Sequence, residues 1–306
     1  VTQHDSHSRP HGQASDDLER VIDAIVHCCC DRELTVNELQ ACYPQTNAEK
    51  IKKYLPLINN SFRKYNITSC LRKAHFLAQA GHESANLNLT AENISDEASQ
   101  RLYSGYKGRG LIQITHREMY QAYTDSSGVD VMNSRKTLVE RPDIAVDTAT
   151  WYWSGGHGMN LNPLADKNDL IRITTSINGG LNGYDSRKRN LLICFNALMV
   201  YACDKINFDI THHAFSSSAA FNHTRSALAW GVWHDPTAFP SCTRMVNHHP
   251  TQIHIASKSG TTKDLAASKE GYKKYNELKL AHPLDHAKTA FGLLPSEWEP
   301  IVRTRC

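Results

Sequence analysis

Two glutamates carry the most specific chemical suggestion in this sequence. Glu83 closes the mostly apolar run Phe76-Leu77-Ala78-Gln79-Ala80-Gly81-His82-Glu83-Ser84, and Glu92 follows in the polar stretch Thr90-Ala91-Glu92-Asn93. Acid–base cleavage of a glycosidic bond needs one carboxyl to protonate the leaving oxygen and a second to activate water or attack the sugar. Apolar surroundings at the end of a helix favour a protonated acid, and polar neighbours favour an ionised base. Glu83 and Glu92 meet these two descriptions. With 31 acidic residues in the chain, spacing alone does not single them out.

Other chemistries lack their signatures. Gly105, Gly108 and Gly110 do not follow the GxGxxG order, and no strand–turn–helix unit surrounds them, so a dinucleotide site is not expected. The run Asn178 to Gly183 lacks the Lys-Ser/Thr ending of a phosphate loop. Seventeen histidines contain no HExxH, and the nine cysteines form no CxxC pair, so no metal and no cofactor are expected. No GxSxG context supports a serine nucleophile. His82 reads as a structural hydrogen-bonder beside Glu83.

The elements that must position these groups are mainly helical. Helical spacing of apolar residues appears from Ser15 to Cys30, after Thr46 (Ile51, Tyr54, Leu55, Ile58), and from Ser69 to Glu83. It resumes at His116–Thr124, Asp147–Trp153, Leu170–Ile177, Ser186–Cys203 and Leu265–Leu278. The Asn-, Ser- and Gly-rich stretch from Asn86 to Gly110 reads as a long ordered loop, which in compact domains is usually functional. Gly110 to Thr115 reads as a short strand or extended piece. Turns are expected at Ser216–Ala219, His248-His249-Pro250 and Ser257–Thr262, after a change of texture beyond Asn207.

Composition bounds the class. A chain of 306 residues with 40% hydrophobic content and a mean hydropathy of −0.49 fits one well-cored segment with polar extensions. The net charge of +3 is spread without a basic stripe, which argues against nucleic-acid binding. A weakly basic surface suits an anionic polymer such as a bacterial wall. No stretch approaches the roughly 20 apolar residues of a membrane helix. Residues 1–14 are polar and His-rich, read as a disordered tail, and lack the apolar core of a secretory signal. The chain begins at Val1, as a processed or excised piece of a longer protein would. The odd number of cysteines leaves at least one thiol unpaired in a monomer.

Four matches in sequence order carry a resemblance. They are the run ending in His82-Glu83-Ser84, then Ala91-Glu92-Asn93-Ile94, then Tyr106-Lys107-Gly108-Arg109-Gly110-Leu111-Ile112-Gln113-Ile114-Thr115, and finally Ile177-Asn178-Gly179-Gly180-Leu181-Asn182-Gly183. Together they resemble glycoside hydrolase family 19, and its endolysin branch more closely than its plant chitinases. The resemblance covers roughly residues 33–205. It implies a mainly α, lysozyme-like fold with a bilobal cleft and long loops, in a hydrolase domain over 15–205. Residues 206–306 would form a C-terminal extension of unknown role.

The resemblance also implies roles. Glu83 would be the general acid and Glu92 the general base, with the Thr115 hydroxyl helping to hold the attacking water. Gln113 and Asn178 would hydrogen-bond the sugar, and Arg187 would support the carboxylates; apart from the resemblance, Tyr106 and Tyr103 border the loop as rings that stack on sugars do, and Tyr103 reads equally as an ordinary surface residue. Met119 stands where Asn is common in the family, and Trp151-Tyr152-Trp153 matches an aromatic helix that also reads as core. The expected reaction is inverting hydrolysis of peptidoglycan by a muramidase, with chitin as the alternative polymer. A lytic transglycosylase and a dead glycan-binding module are disfavoured by the presence of Glu83, Glu92 and Thr115. An antibacterial effector delivered to the periplasm or cell wall of a target bacterium, with an immunity or inhibitor protein or a secretion apparatus as partner, is the expected setting.

Overall fold

The computed structural model describes residues 28–235 and 264–281. The expected tail 1–14, the expected helix from Ser15 up to residue 27, the turns at His248-His249-Pro250 and Ser257–Thr262, and Cys242 and Cys306 lie outside them. Cys28 to Cys30, the last part of that expected helix, are not helical. The described residues are mainly α, and their β structure is limited to isolated bridges.

Eleven α-helices order the described chain: α1 Val36–Cys42, α2 Ala48–Lys64, α3 Cys70–Glu83, α4 Asp96–Tyr103, α5 Arg117–Ser127, α6 Pro142–Trp153, α7 Asn162–Asp166, α8 Leu170–Asn178, α9 Tyr184–Ala197, α10 Thr224–His234 and α11 Leu265–Ala281. A 3-10 helix, Asn133–Glu140, precedes α6. Starts are set by capping: Asn47, Ser69, Ser95 and Asp169 each accept a backbone N–H of the first turn. Pro142 opens α6, where its missing N–H costs nothing.

The helix that ends at Glu83 is the central one. In α3 every residue from Lys73 to Gly81 is buried, so its exterior is packed on all sides, chiefly by α9. Phe76 meets Phe62 of α2 and Trp153 of α6 edge to face, with ring centroids 5.3 and 5.6 Å apart. His75 reaches Asn168 at 2.8 Å, and burial pushes its imidazole down to about 3. The Lys73 ammonium donates to the backbone carbonyls of Cys29 and Arg32.

Two apolar clusters result. The larger gathers α1–α3 and α6–α11; the smaller gathers Tyr106, Ile114, Tyr120, Tyr123, Val131, Met132, Val139 and Trp151. Residues beyond 205 share the larger cluster through Ile210, Phe215, Ala220 and the α10 residues Ala227 to Trp233. Asp169 ties this segment to α8 by accepting from the Ser218 hydroxyl at 2.6 Å and the Ala219 N–H at 2.7 Å.

Three further expectations change. The stretch from 86 to 110 contains α4, whose polar composition gives no apolar period but whose Ser95 cap and acidic first turn are sound start signals. Residues 110–115 form a tight turn, not a strand: Gly110 and Gln113 have φ of +81° and +58°, and Arg109 bridges to both Ala91 and Ile114. The helix expected to reach Cys203 stops at Ala197, because Met199 takes a left-handed conformation before a 3-10 turn, Val200–Ala202.

Candidate functional site

Glu83 is the last residue of α3, and its side chain is 18% exposed. Its surroundings are not the apolar pocket expected from the sequence. Arg187, from the first turn of α9 and fully buried, donates from Nη2 to Glu83 Oε1. The same guanidinium donates from Nη1 to Gln79 Oε1 at 2.5 Å and from Nε to the Asn182 carbonyl at 3.4 Å. Gln79 and Glu83 are one helical turn apart, so one face of α3 presents both acceptors to a single fork. A buried guanidinium needs such partners, and the arrangement fixes where the Glu83 carboxyl sits.

His82 makes a separate contact. Its Nδ1 lies 3.1 Å from Ser186 Oγ, and burial pushes its imidazole down to about 4, with the Arg187 charge adding to the effect. A Cβ at Gly183 would stand 2.3 Å from His82 Nε2, and Gly183 has φ +74°. Glycine is required there twice over, by conformation and by the imidazole against it.

The chain leaves Glu83 through a strained turn. Ala85, Asn86 and Leu87 all have positive φ, of +48°, +56° and +66°. Ser84 holds it by donating to the Ala80 carbonyl and accepting from the Leu87 N–H.

Glu92 lies on the loop that follows. Its Oε2 accepts from the Gly108 N–H at 3.3 Å and its Oε1 from the Tyr103 hydroxyl at 3.4 Å, while its own N–H donates to the Gly108 carbonyl at 2.8 Å. Burial and the Glu92 charge raise the Tyr103 phenol above its ordinary value. Gly108 is closely covered: a Cβ there would be 3.1 Å from Gln113 Oε1 and 3.4 Å from Thr115 Oγ1. The structure therefore brings Glu92, Gln113 and Thr115 around one glycine.

Several expected contacts read differently in detail. Thr115 Oγ1 donates to the Gln113 carbonyl at 2.8 Å, and Gln113 Nε2 donates to the Gly110 carbonyl at 2.7 Å, so that amide is committed to the turn. Tyr106 is 5% exposed, lies in the smaller core cluster edge-on to Tyr120, and has the Lys136 ammonium over its ring. Tyr103 borders Glu92 instead. Met119 packs on the same cluster. Arg109 is buried between Glu140 and the Tyr120 hydroxyl, and Lys107 donates to the Ile94 carbonyl.

Asn178 ends α8, and its side-chain Oδ1 is buried with no hydrogen-bond partner. A buried orphan acceptor is costly unless a ligand donor meets it. The next residue, Gly179, gives its carbonyl to Arg225 Nε at 2.5 Å. Tyr152 connects the two parts: its hydroxyl donates to the Ser176 carbonyl at 3.3 Å, and it lies within electrostatic reach of both Glu83 and Arg225. Gln79, Tyr152 and Arg225 were not expected from the sequence. Only the i,i+4 spacing of Gln79 before Glu83 was a usable signal.

Comparison with known proteins decides the family. No family model matches. A Haemophilus influenzae protein described as "Glycosyl hydrolase family 19 domain-containing protein" is 30% identical over 191 residues, which take in 49% of this chain and 90% of that protein. The chain belongs to glycoside hydrolase family 19. This family 19 chain is accordingly a glycoside hydrolase with a mainly α fold. It is also similar to chitinase 11 of Oryza sativa subsp. japonica, with 42% identity over 48 residues, covering 16% of this chain and 19% of the rice protein. Among solved structures, chitinase C from Streptomyces griseus HUT6037 has 24% identity and a TM-score of 0.46, covering 54% of this chain and 76% of that one.

Proposed function

We propose that this family 19 hydrolase is a muramidase that cleaves the β-1,4 glycan backbone of peptidoglycan. The observation that carries the reading is the Arg187 fork, which holds one Glu83 oxygen and leaves Oε2 for the glycosidic oxygen. In the proposed reaction Glu83 gives its proton to the departing sugar while Glu92, accepting from Gly108 and Tyr103, takes a proton from the attacking water. Thr115, beside Gly108, orients that water. Inversion requires a gap of roughly 6.5–9.5 Å between the carboxyls to admit the water. Asn178 Oδ1 accepts from an amide or hydroxyl of the bound sugar.

The mild positive charge favours an anionic wall polymer over neutral chitin. The buried Arg109 and the engaged Lys107 leave that preference to the surface as a whole, not to the run that contains them. Chitin is the second reading, favoured by the chitinases among the similar proteins. The biological setting we propose is antibacterial, in the periplasm or cell wall of a target bacterium, with an immunity or inhibitor protein or a delivery apparatus as partner.

Incubation with purified sacculi and, separately, with chitin oligomers separates the readings. Muropeptides with a reducing muramic acid end, of inverted anomeric form by NMR and lost in Glu83→Gln, are the expected products. Cleavage of chitin alone overturns the muramidase reading, and an anhydro end overturns the hydrolytic one.

A further inference from the structure

Four cysteines scattered in the sequence come together at the start of α3. Cys28 and Cys30 lie on the segment entering the described fold, Cys70 is the first residue of α3, and Cys203 follows the 3-10 turn after α9. Their four Sγ atoms all lie within 4.8 Å of one another. Cys203 Sγ stands 2.7 Å from Cys28 Sγ and 3.5 Å from Cys30 Sγ. The Cys70 N–H points at Cys30 Sγ from 3.0 Å.

We propose that Cys28, Cys30, Cys70 and Cys203 bind one zinc ion as a structural tetrathiolate site. Four sulfurs at about 2.3 Å from a tetrahedral zinc lie roughly 3.8 Å from each other; the 4.8 Å limit and the 3.5 Å Cys30–Cys203 separation are near this size, and the 2.7 Å Cys28–Cys203 pair must open by about 1 Å to admit the ion. Two disulfides, Cys28–Cys203 and Cys30–Cys70, require only two close pairs, whereas all four sulfurs are mutually close. Here Cys203 is shared between Cys28 and Cys30, as a corner of a tetrahedron is. Tetrahedral sulfur-only sites select zinc or iron–sulfur chemistry, and a single ion fits four sulfurs this close.

The surroundings suit the charge of such a site. Four thiolates and one zinc carry a net charge of −2, and Lys73, Lys205 and Arg32 all lie within electrostatic reach of these cysteines. The positive end of α3 adds to this at Cys70. Cys28 and Cys30 alternate around Cys29, which is fully buried in the core and takes no part. The CxxC spacing that marks many zinc sites is absent, because ligands here come from segments up to 175 residues apart.

Zinc at this position joins the entering segment, the start of α3 and the exit from α9. Glu83 is at the other end of α3, about 20 Å away along a helix of 14 residues. The role is therefore to hold the framework and not to touch the sugar. Binding releases protons from the thiols and stabilises the fold, so removal of the ion lowers the melting temperature.

The test uses the full chain, prepared with reductant and zinc, freed of loose metal by gel filtration, and measured by elemental mass spectrometry and thiol titration. One zinc per chain is expected, with Cys28, Cys30, Cys70 and Cys203 identified by peptide mapping as the thiols whose alkylation in the folded chain requires chelator. The melting temperature should fall by more than about 5 °C on chelation. Cys30→Ser and Cys70→Ser should each lose the zinc. Cobalt should replace zinc and give the absorption of tetrahedral thiolate cobalt, a reading that does not depend on any variant folding. No bound zinc under these conditions, disulfides among the four on peptide mapping, or zinc retained in both variants overturns the proposal.

Discussion

Replacing Arg187 by lysine tests the central geometry, because it keeps the charge and removes the fork. Arg187 serves three acceptors on two sides: Glu83, Gln79 at 2.5 Å and the Asn182 carbonyl at 3.4 Å. One ammonium on a flexible stem cannot reach all three. If it keeps Glu83, the Oε1 of the fully buried Gln79 loses its donor, which costs about 1–3 kcal/mol. The weaker bond to Asn182 and the poorer fit of an ammonium in this site bring the expected loss to about 2–4 kcal/mol. Activity should fall further than stability alone explains, since a 1 Å misplacement of the acid costs on the order of 100-fold. Urea unfolding and turnover on sacculi, at the same pH and temperature, measure both. A variant within about 0.5 kcal/mol and twofold of the parent would refute the claim that the guanidinium positions Glu83.

Three further outcomes are expected. Stability should fall steadily as pH drops from about 6.5 towards 4. His75, His82, His213 and His223 are pushed down by burial to about 3, 4, 4 and 4, so over that window the unfolded chain takes up protons that the folded chain refuses. A flat melting temperature from pH 7 to 4.5 would contradict the buried, neutral histidines. Gly183→Ala combines a positive φ with a Cβ against His82, and should lower stability by more than about 1 kcal/mol while reducing turnover, both read from melting and product release. Asn178→Leu removes an unpartnered buried acceptor, so it should leave the melting temperature unchanged or raised while KM rises severalfold; an unchanged KM would show that Asn178 does not meet the sugar.

The helices with a clear apolar stripe or a good cap were legible from the residues alone. Cys70–Glu83 and Leu170–Asn178 appear within a residue or two of their expected places, and Ala48–Lys64 starts just after Thr46 as expected, because period and cap are local properties. Thr224–His234 was not legible for the opposite reason. Eight of its residues, Ser226 to Trp233, are buried consecutively, so it has no polar face to mark a period. Asp96–Tyr103 was hidden in a polar stretch, and the turn at 110–115 depends on a left-handed Gln113 that nothing nearby announces.

The sequence by itself determined the family and the order of its motifs, and with them the carboxylates to examine. Only the tertiary structure decided what stands against each of them. Arg187 is 104 positions from Glu83 and fully buried on it. Gly108 is 16 positions from Glu92 and holds it by its backbone N–H, which is common to every residue type but proline. Tyr106, which bears the composition of a sugar platform, is turned into the core by Tyr120. The four cysteines meet because α3 begins beside the Cys28–Cys30 segment and the turn that follows α9. Local pattern reports helix and face, whereas partners across many residues are chosen by packing, which only the folded chain contains.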